Sequence, residues 1–256
     1  MTKLEVVDFG VRAETKLEKA RRLGRPIDMW IPSGQDSAAI NLEHTVFAIA
    51  DGVASDANAA FAANNVTHEF IDAFSDHCSS YLDVRTVIQS GLLDRLHKTP
   101  ALIRATTTLT GVVMSDDNYV SYLHLGDTQL LMRRCDEITE ITSEQVVRGH
   151  SLLNYLGISS SWPPGHERHP LALHPQPNQP SQSGKEAEWG SLPLALGDRL
   201  VLATDGVIGS EQGERKSKQQ WLEQTRYALG AQAVADMLVR MSPKIDDSTA
   251  MVIDVG

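Results

Sequence analysis

Helical stretches come in pairs between blocks of short apolar strands, and this order restricts the possible folds more than any other feature. Apolar residues recur at three- and four-residue spacing over 57–74 and 84–96, and again over 222–229 and 231–241. The predicted strands cover residues 4–9, 45–50, 106–114, 119–125, 128–133, 199–204 and 248–255. A doubly wound parallel sheet would place a single helix after each strand. The paired helices therefore predict an α+β fold with antiparallel sheets and helices outside them.

The composition is typical of a globular protein. With 256 residues the chain can bury a substantial core, and 22% charged residues is too few for a disordered acidic chain. No stretch approaches the roughly 20 apolar residues needed to cross a bilayer, and the first ten residues lack the pattern of a secretion signal. Cys78 and Cys135 are too far apart for a disulfide framework or a zinc site. We expect a cytoplasmic protein with no membrane association.

The charge balance excludes one class of partner and leaves one question open. There are 33 acidic residues against 23 Lys and Arg, giving a net charge of −10. Nucleic-acid binders neutralise phosphates with clustered basic residues, and the single dense basic run, at residues 16–25, is explained by a solvated helix face. No nucleic-acid partner is expected. The surplus acids either cover the surface or converge on a cation.

The segment 159–189 differs from its surroundings because it holds six of the 11 prolines. Proline fixes φ and removes a hydrogen-bond donor, so little regular structure is expected there. A domain linker is one interpretation of this segment. The flanking parts are incomplete as separate domains, however, so we predict a single domain over residues 1–256 with a surface excursion at 159–189.

Five aspartates occupy the ends of predicted strands or the turns between them. They are Asp36, Asp51, Asp127, Asp205 and Asp246. Each one alone is explained by ordinary turn chemistry, since Asp and Gly commonly end strands. If the strands share a sheet or a pair of sheets, their ends meet and the carboxylates repel one another. Oxygen ligands without matched His or Cys favour Mg²⁺ or Mn²⁺ as the compensating cation.

These motifs, in this order, resemble the metal-dependent protein phosphatases, the PPM family of type 2C serine/threonine phosphatases, and in particular its compact bacterial members. The resemblance is carried by Gly34-Gln35-Asp36, Phe47-Ala48-Ile49-Ala50-Asp51-Gly52, Ala105-Thr106-Thr107-Thr108, His124-Leu125-Gly126-Asp127-Thr128, Asn154-Tyr155-Leu156-Gly157, the run from Gly197-Asp198 to Asp205-Gly206, and Asp246-Asp247-Ser248-Thr249. It implies two antiparallel β-sheets packed as a sandwich between helix pairs. It also implies hydrolysis of phosphoserine and phosphothreonine in proteins by a metal-bridging hydroxide, with a Ser/Thr kinase as the opposing enzyme.

The resemblance also assigns the metal ligands residue by residue. It implies that Asp51 bridges two Mg²⁺ or Mn²⁺ ions and that the Gly52 carbonyl reaches one of them. Asp36 supports the second ion, directly or through water, while Asp205 and Asp246 hold the first. Asp36 and Asp51 are thereby the expected catalytic residues.

A weaker third metal position is implied at Asp127 together with Asp205. Family members commonly carry an acid four positions after the second Asp-Gly, where this chain has Gly209. The third ion therefore has one ligand fewer than the pattern provides.

Two further departures concern proton transfer and phosphate binding. The family often has His soon after the first Asp-Gly, but this chain has none there, which leaves protonation of the leaving group to a metal-bound water or to Asp56. An Arg that grips the phosphate usually shortly precedes the first motif, and Arg12 is the candidate here. These departures motivate an alternative, a non-catalytic pseudophosphatase that binds a phosphoprotein or a kinase.

Overall fold

The computed structural model describes residues 3–25, 34–53, 58–74, 80–87, 92, 96, 105–147, 151–152, 156–157, 187–209 and 215–256. The first sheet has the strand order β1-β14-β13-β7-β8, and all its neighbours are antiparallel. Its strands are β1 (Val6–Glu14), β7 (Gln129–Arg134), β8 (Glu137–Glu140), β13 (Arg199–Ala203) and β14 (Ser248–Val255).

The second sheet has the order β12-β6-β5-β3-β2 and is also antiparallel. Its strands are β2 (Asp36–Asn41), β3 (Val46–Asp51), β5 (Leu109–Met114), β6 (Tyr119–Leu125) and β12 (Glu188–Pro193). Two short pairs lie apart from these sheets: β4 (Thr106–Thr107) with β11 (Leu156–Gly157), and β9 (Val146–Val147) with β10 (Ser151–Leu152).

The two sheets pack face to face and helices cover their outer faces. Between the sheets, Phe47 and Ile49 of β3 pack with Leu200 and Leu202 of β13 and with Met251 of β14. Because successive side chains on a strand point to opposite faces, Val46 and Ala48 turn outward, into the core beneath a helix. This is why β3 is an unbroken apolar run.

Six helices are described: α1 (Lys16–Arg22), α2 (Ala59–Ala73), α3 (Tyr81–Val87), α4 (Asp205–Ile208), α5 (Lys218–Gln224) and α6 (Ala231–Arg240). Val66 and Phe70 of α2 pack on the second sheet, and Val234 and Leu238 of α6 pack on the first. The α+β sandwich flanked by helices, as predicted, is confirmed. None of these helices combines the length and apolar character needed to cross a bilayer.

Several elements differ from the sequence prediction. Strand β1 extends to Glu14 because it pairs with β14 along its whole length, whereas the pattern ended at residue 9. Strands β2, β8 and β12 were not predicted, and β12 begins at Glu188, inside the segment 159–189. Residues 159–186 of that segment lie outside the described residues. The helix face expected for the basic run at residues 16–25 is α1, which begins with a capping box in which the side chains of Thr15 and Glu18 each accept a backbone N–H.

Candidate metal centre

Asp36 and Asp51 face each other across the end of the second sheet. Asp36 begins β2, Asp51 ends β3, and the two residues pair directly in the antiparallel register. Ile49 of β3 and Ile40 of β2 contribute to the core between the sheets. By the two-residue alternation of strands, both aspartates therefore turn toward the first sheet.

The other three acids come from the facing part of the molecule. Asp205 begins α4 and is separated from the end of β13 by one residue, Asp246 lies just before β14, and Asp127 lies in the turn between β6 and β7. Because β13 and β14 are antiparallel neighbours, the end of one meets the start of the other. Burial raises the pKa of Asp51, and the charges of Asp36, Asp205, Asp127 and Asp246 raise it further, which places all five acids in one cluster.

The cluster disfavours its own negative charge. Burial, followed by the charge of Asp247, raises the pKa of Asp36 to about 7. Burial, followed by the charge of Asp205, raises the pKa of Asp127 to about 7. The pKa of Asp246 is also raised, first by burial. Carboxylates collected in this way need protons or cations to relieve their repulsion.

One carboxylate oxygen in the cluster has no hydrogen-bond partner among the described residues. Asp36 Oδ2 accepts a hydrogen bond from Thr204 Oγ1 at 2.9 Å, whereas Asp36 Oδ1 is buried and unsatisfied. A buried acceptor without a partner is costly unless a cation or water binds it. The free oxygen, among five oxygen-donor side chains, fits a hard cation such as Mg²⁺ or Mn²⁺.

The backbone of Asp51 is held by two threonines of the Ala-Thr-Thr-Thr motif. Asp51 N donates to Thr108 Oγ1 at 2.9 Å, and Asp51 O accepts from Thr107 Oγ1 at 2.9 Å and from Thr108 N at 2.8 Å. These bonds hold the end of β3 in place. They give the threonines of that motif a physical role in positioning the aspartate.

Both Asp-Gly motifs need glycine for space. A Cβ at Gly52 would lie 2.7 Å from the backbone of Ala59, at the start of α2. A Cβ at Gly206 would lie 1.8 Å from the carbonyl oxygen of Asp247. Any side chain would therefore separate each strand end from the element packed on it. The turn chemistry considered from sequence is thus only part of the reason for these glycines.

Asp247 was quoted in a sequence motif without a role, and the structure makes it an anchor. Its Oδ1 accepts from Lys16 N at 2.5 Å and its Oδ2 accepts from Gln35 N at 2.8 Å. Asp247 thereby joins the start of α1 and the start of β2 to the start of β14. Asp36 and Asp246, the residues beside these contacts, are positioned by them.

Lys244 contacts two of the five acids and was not among the residues predicted from sequence. Its ammonium forms ion pairs with Asp205 Oδ2 and, at 3.1 Å, with Asp246 Oδ2. Burial lowers the pKa of Lys244, but the attraction of Asp205 and Asp246 outweighs it and raises the pKa overall. A lysine two residues before a motif aspartate was the only available signal. Its other partner, Asp205, is 39 residues away in sequence, so no local pattern indicates that contact.

The basic run at residues 16–25 is only partly the solvated face that was predicted. Arg21 and Arg25 are exposed, but Lys19 is fully buried. Its Nζ donates to Gly206 O at 3.1 Å and to Ser248 Oγ at 2.5 Å, and burial lowers its pKa to about 8. Lys19 thus supports the same turn that carries Asp205.

The acids interact with one another, but their present arrangement is not a ready coordination sphere. Among the described residues, no three acidic, histidine or cysteine side chains are placed to hold one metal ion together. Two of the five, Asp205 and Asp246, are held by Lys244. The carboxylate oxygens suit a divalent cation, but the side chains would have to rearrange for three of them to bind one ion.

Arg12 is not brought to the acids. It lies opposite Ala250 in the β1–β14 register, and Ala250 belongs to the core under α6. Opposed residues share a face of the sheet, so Arg12 lies on the helix-covered face, where its charge acts on Glu18. Its role in phosphate binding stays a prediction. Asp56 and residues 154–155 lie outside the described residues.

Comparison with solved structures supports the fold. A PPM Ser-Thr phosphatase of Mycobacterium smegmatis, MsPP, has a TM-score of 0.62 at 16% identity, covering 98% of this chain and 100% of its own. A serine/threonine phosphatase of S. agalactiae has a TM-score of 0.66 at 15% identity, covering 98% of both chains. The catalytic domain of the phosphatase PstP, in complex with 2 manganese ions, has a TM-score of 0.61 at 19% identity, covering 99% of this chain and 98% of its own.

Sequence comparison supports the family. Protein phosphatase PhpP of Streptococcus pneumoniae is 31% identical over 115 residues, and this match spans 43% of this chain and 43% of PhpP. The family model of protein phosphatase 2C matches residues 33–241, which include Asp36, Asp51, Asp127 and Asp205. The chain belongs to the protein phosphatase 2C family.

Proposed function

We propose that this protein is a metal-dependent phosphoprotein phosphatase that hydrolyses phosphoserine and phosphothreonine. The observation that carries the proposal is the cluster of five aspartates from both sheets, whose mutual repulsion a divalent cation relieves. The family match over 33–241 supports the reaction class and a single phosphatase domain over residues 1–256. A phosphorylated protein substrate and an opposing Ser/Thr kinase follow from that class.

In this proposal the metal ligands are those of the family pattern. Asp51 would contribute to holding both Mg²⁺ or Mn²⁺ ions, and the Gly52 carbonyl would reach one of them. Asp205 and Asp246 would hold the first ion, and Asp36 would support the second, directly or through water. The two manganese ions of the PstP complex support a two-ion site. When bound, such ions act as Lewis acids that activate the attacking water and offset charge on the phosphoryl oxygens.

Asp127 is the proposed ligand of a weaker third ion, together with Asp205. The charge of Asp205 acts on Asp127, which supports a shared cation. Gly209, four positions after Asp205, contributes no side-chain oxygen. It ends α4 by a backbone hydrogen bond from its N–H to Asp205 O at 2.9 Å.

The contribution of the chain itself is to fix the segments that carry these ligands before substrate arrives. Thr107 and Thr108 hold the backbone of Asp51, and Thr204 orients the Asp36 carboxylate. Asp247 joins the segments that carry Asp36 and Asp246. Fixed backbone positions limit the rearrangement on cation binding to the side chains themselves.

An activity assay on protein stripped of metal tests the proposal. We expect hydrolysis of phosphoserine and phosphothreonine peptides, and of para-nitrophenyl phosphate, only after Mn²⁺ or Mg²⁺ is added, with phosphotyrosine peptides much slower. Asp51→Asn and Asp246→Asn should each lower kcat/KM by about 100-fold or more, because each removes a metal ligand. Asp116→Asn is the matched control, since Asp116 forms an exposed ion pair with Lys3.

Two results would contradict the proposal. Full activity in Asp51→Asn would show that Asp51 is not the essential metal ligand that the proposal makes it. A protein that binds phosphoprotein or kinase normally, yet neither binds Mn²⁺ nor hydrolyses any substrate, would establish the pseudophosphatase alternative. Circular dichroism of each variant shows whether a loss of activity reflects unfolding.

A further inference from the structure

Lys244 occupies carboxylate oxygens that the proposed function assigns to a metal ion. Its ammonium forms ion pairs with Asp205 Oδ2 and with Asp246 Oδ2, the latter at 3.1 Å. These are the two proposed ligands of one ion. The side chain is largely enclosed, with about a quarter of its surface exposed (24%), so solvent weakly screens the pairs.

The stem of Lys244 passes beside Gly209 on the neighbouring turn. A Cβ placed at Gly209 would lie 3.6 Å from Lys244 Cδ, so the lysine stem passes beside a position that has no side chain. Two other lysines have buried ammonium groups near this turn, and both are directed elsewhere. Lys19 donates to Gly206 O and Ser248 Oγ, and Lys216 Nζ lies over the ring of Trp221, 4.9 Å from its centroid. Lys244 is therefore the lysine positioned to compensate Asp205 and Asp246.

We propose that Lys244 is an internal counter-ion that an incoming divalent cation must displace from Asp205 and Asp246, so that this lysine sets the metal affinity of that half of the site. The inference rests on the proposed metal-dependent function. Lys244 is not one of the proposed metal ligands. It acts before catalysis, by opposing cation binding.

The physical reason is competition between two cations for the same oxygens. An ammonium left beside a divalent ion repels it, and an ammonium moved away must find other partners. Both costs weaken metal binding. In the metal-free protein the same ammonium relieves the repulsion between Asp205 and Asp246, so it stabilises the fold.

Calorimetric titration of Mn²⁺ into metal-free protein tests the inference without measuring activity. Lys244→Met and Lys244→Gln remove the charge, and we expect the tightest Mn²⁺ site to bind about tenfold or more tightly in both variants. In EDTA, both variants should melt at a lower temperature than the wild type. Lys244→Arg keeps the charge and should stay within about twofold of the wild-type affinity.

Lys3→Met is the matched control, because Lys3 also pairs with an aspartate, Asp116, but in an exposed pair. It should leave Mn²⁺ affinity unchanged. Equal or weaker Mn²⁺ binding in folded Lys244→Met and Lys244→Gln would overturn the counter-ion role while leaving the metal site intact. Absence of Mn²⁺ binding in the wild type and in every variant would overturn the proposed metal site itself.

Discussion

At the scale of single residues, the acid cluster makes the metal-free protein sensitive to pH. Burial raises the pKa of Asp36 and of Asp127 to about 7, against an ordinary value of 3.8. Between these two values the folded protein holds protons that the unfolded chain has released. The stability that each group contributes is complete below about pH 4 and is lost as pH rises through about 7.

Asp127→Asn tests this linkage, because asparagine carries no charge at any pH. The melting temperature of metal-free wild-type protein, measured relative to that of metal-free Asp127→Asn, should fall between pH 4 and pH 8. Thermal melts in EDTA across this range provide the measurement. The melting temperature of the control variant, Asp116→Asn, should change with pH in the same way as that of the wild type. If the melting temperatures of wild type and Asp127→Asn instead changed in parallel with pH, the pKa of Asp127 would not be raised in the folded protein.

At the scale of elements, the junction between β13 and α4 packs against the start of β14. Gly206 lies so close to this start that its missing side chain is a steric requirement, with only 1.8 Å between an added Cβ and Asp247 O. The carbonyl of Gly206 also accepts from Lys19 Nζ and Ser242 Oγ. Asp205 and Asp246 are neighbours because these elements meet here.

Gly206→Ala should therefore destabilise the protein by about 1–3 kcal/mol or more, since the added methyl group must displace backbone. Gly209→Ala is the matched control in the same segment. Its Cβ would meet Asp205 O at 3.4 Å and Lys244 Cδ at 3.6 Å, both ordinary contacts, so we expect a change within about 0.5 kcal/mol. Urea unfolding measures the free energy of unfolding of both variants. Equal losses of stability would show that the start of β14 moves aside at little cost.

At the scale of the whole molecule, the proposed metal site joins the two sheets of the sandwich. Asp36 and Asp51 belong to the second sheet, while Asp205 and Asp246 adjoin strands of the first. A cation held by both sets links the sheets in the folded state and has no equivalent site in the unfolded chain. Binding of this kind stabilises the fold by mass action.

Mn²⁺ at about 100 times its dissociation constant should stabilise the wild type by about 2.7 kcal/mol, which raises the melting temperature by several degrees. Asp51→Asn should show a much smaller increase because it lacks the shared ligand. Differential scanning calorimetry with and without Mn²⁺ makes the comparison. An equal increase in both proteins would place the bound ion elsewhere.

The α+β class, seven strand regions and the five aspartates were accessible from sequence alone. Residues 119–125 and 248–255 match β6 and β14 exactly in extent, because their apolar patterns are long and local. Strands β2 and β8 were missed: Asp36–Asn41 and Glu137–Glu140 carry few apolar residues, and pairing with a neighbour makes them strands.

Only the tertiary structure decided which charges meet. The sequence by itself determined that five aspartates stand at strand ends, because turn residues and apolar runs are local signals. That Lys19 reaches Ser248, 229 residues away, and that Lys244 reaches Asp205 depends on β13 and β14 lying side by side. Burial and electrostatic compensation arise from packing between distant segments, so no local pattern encodes them.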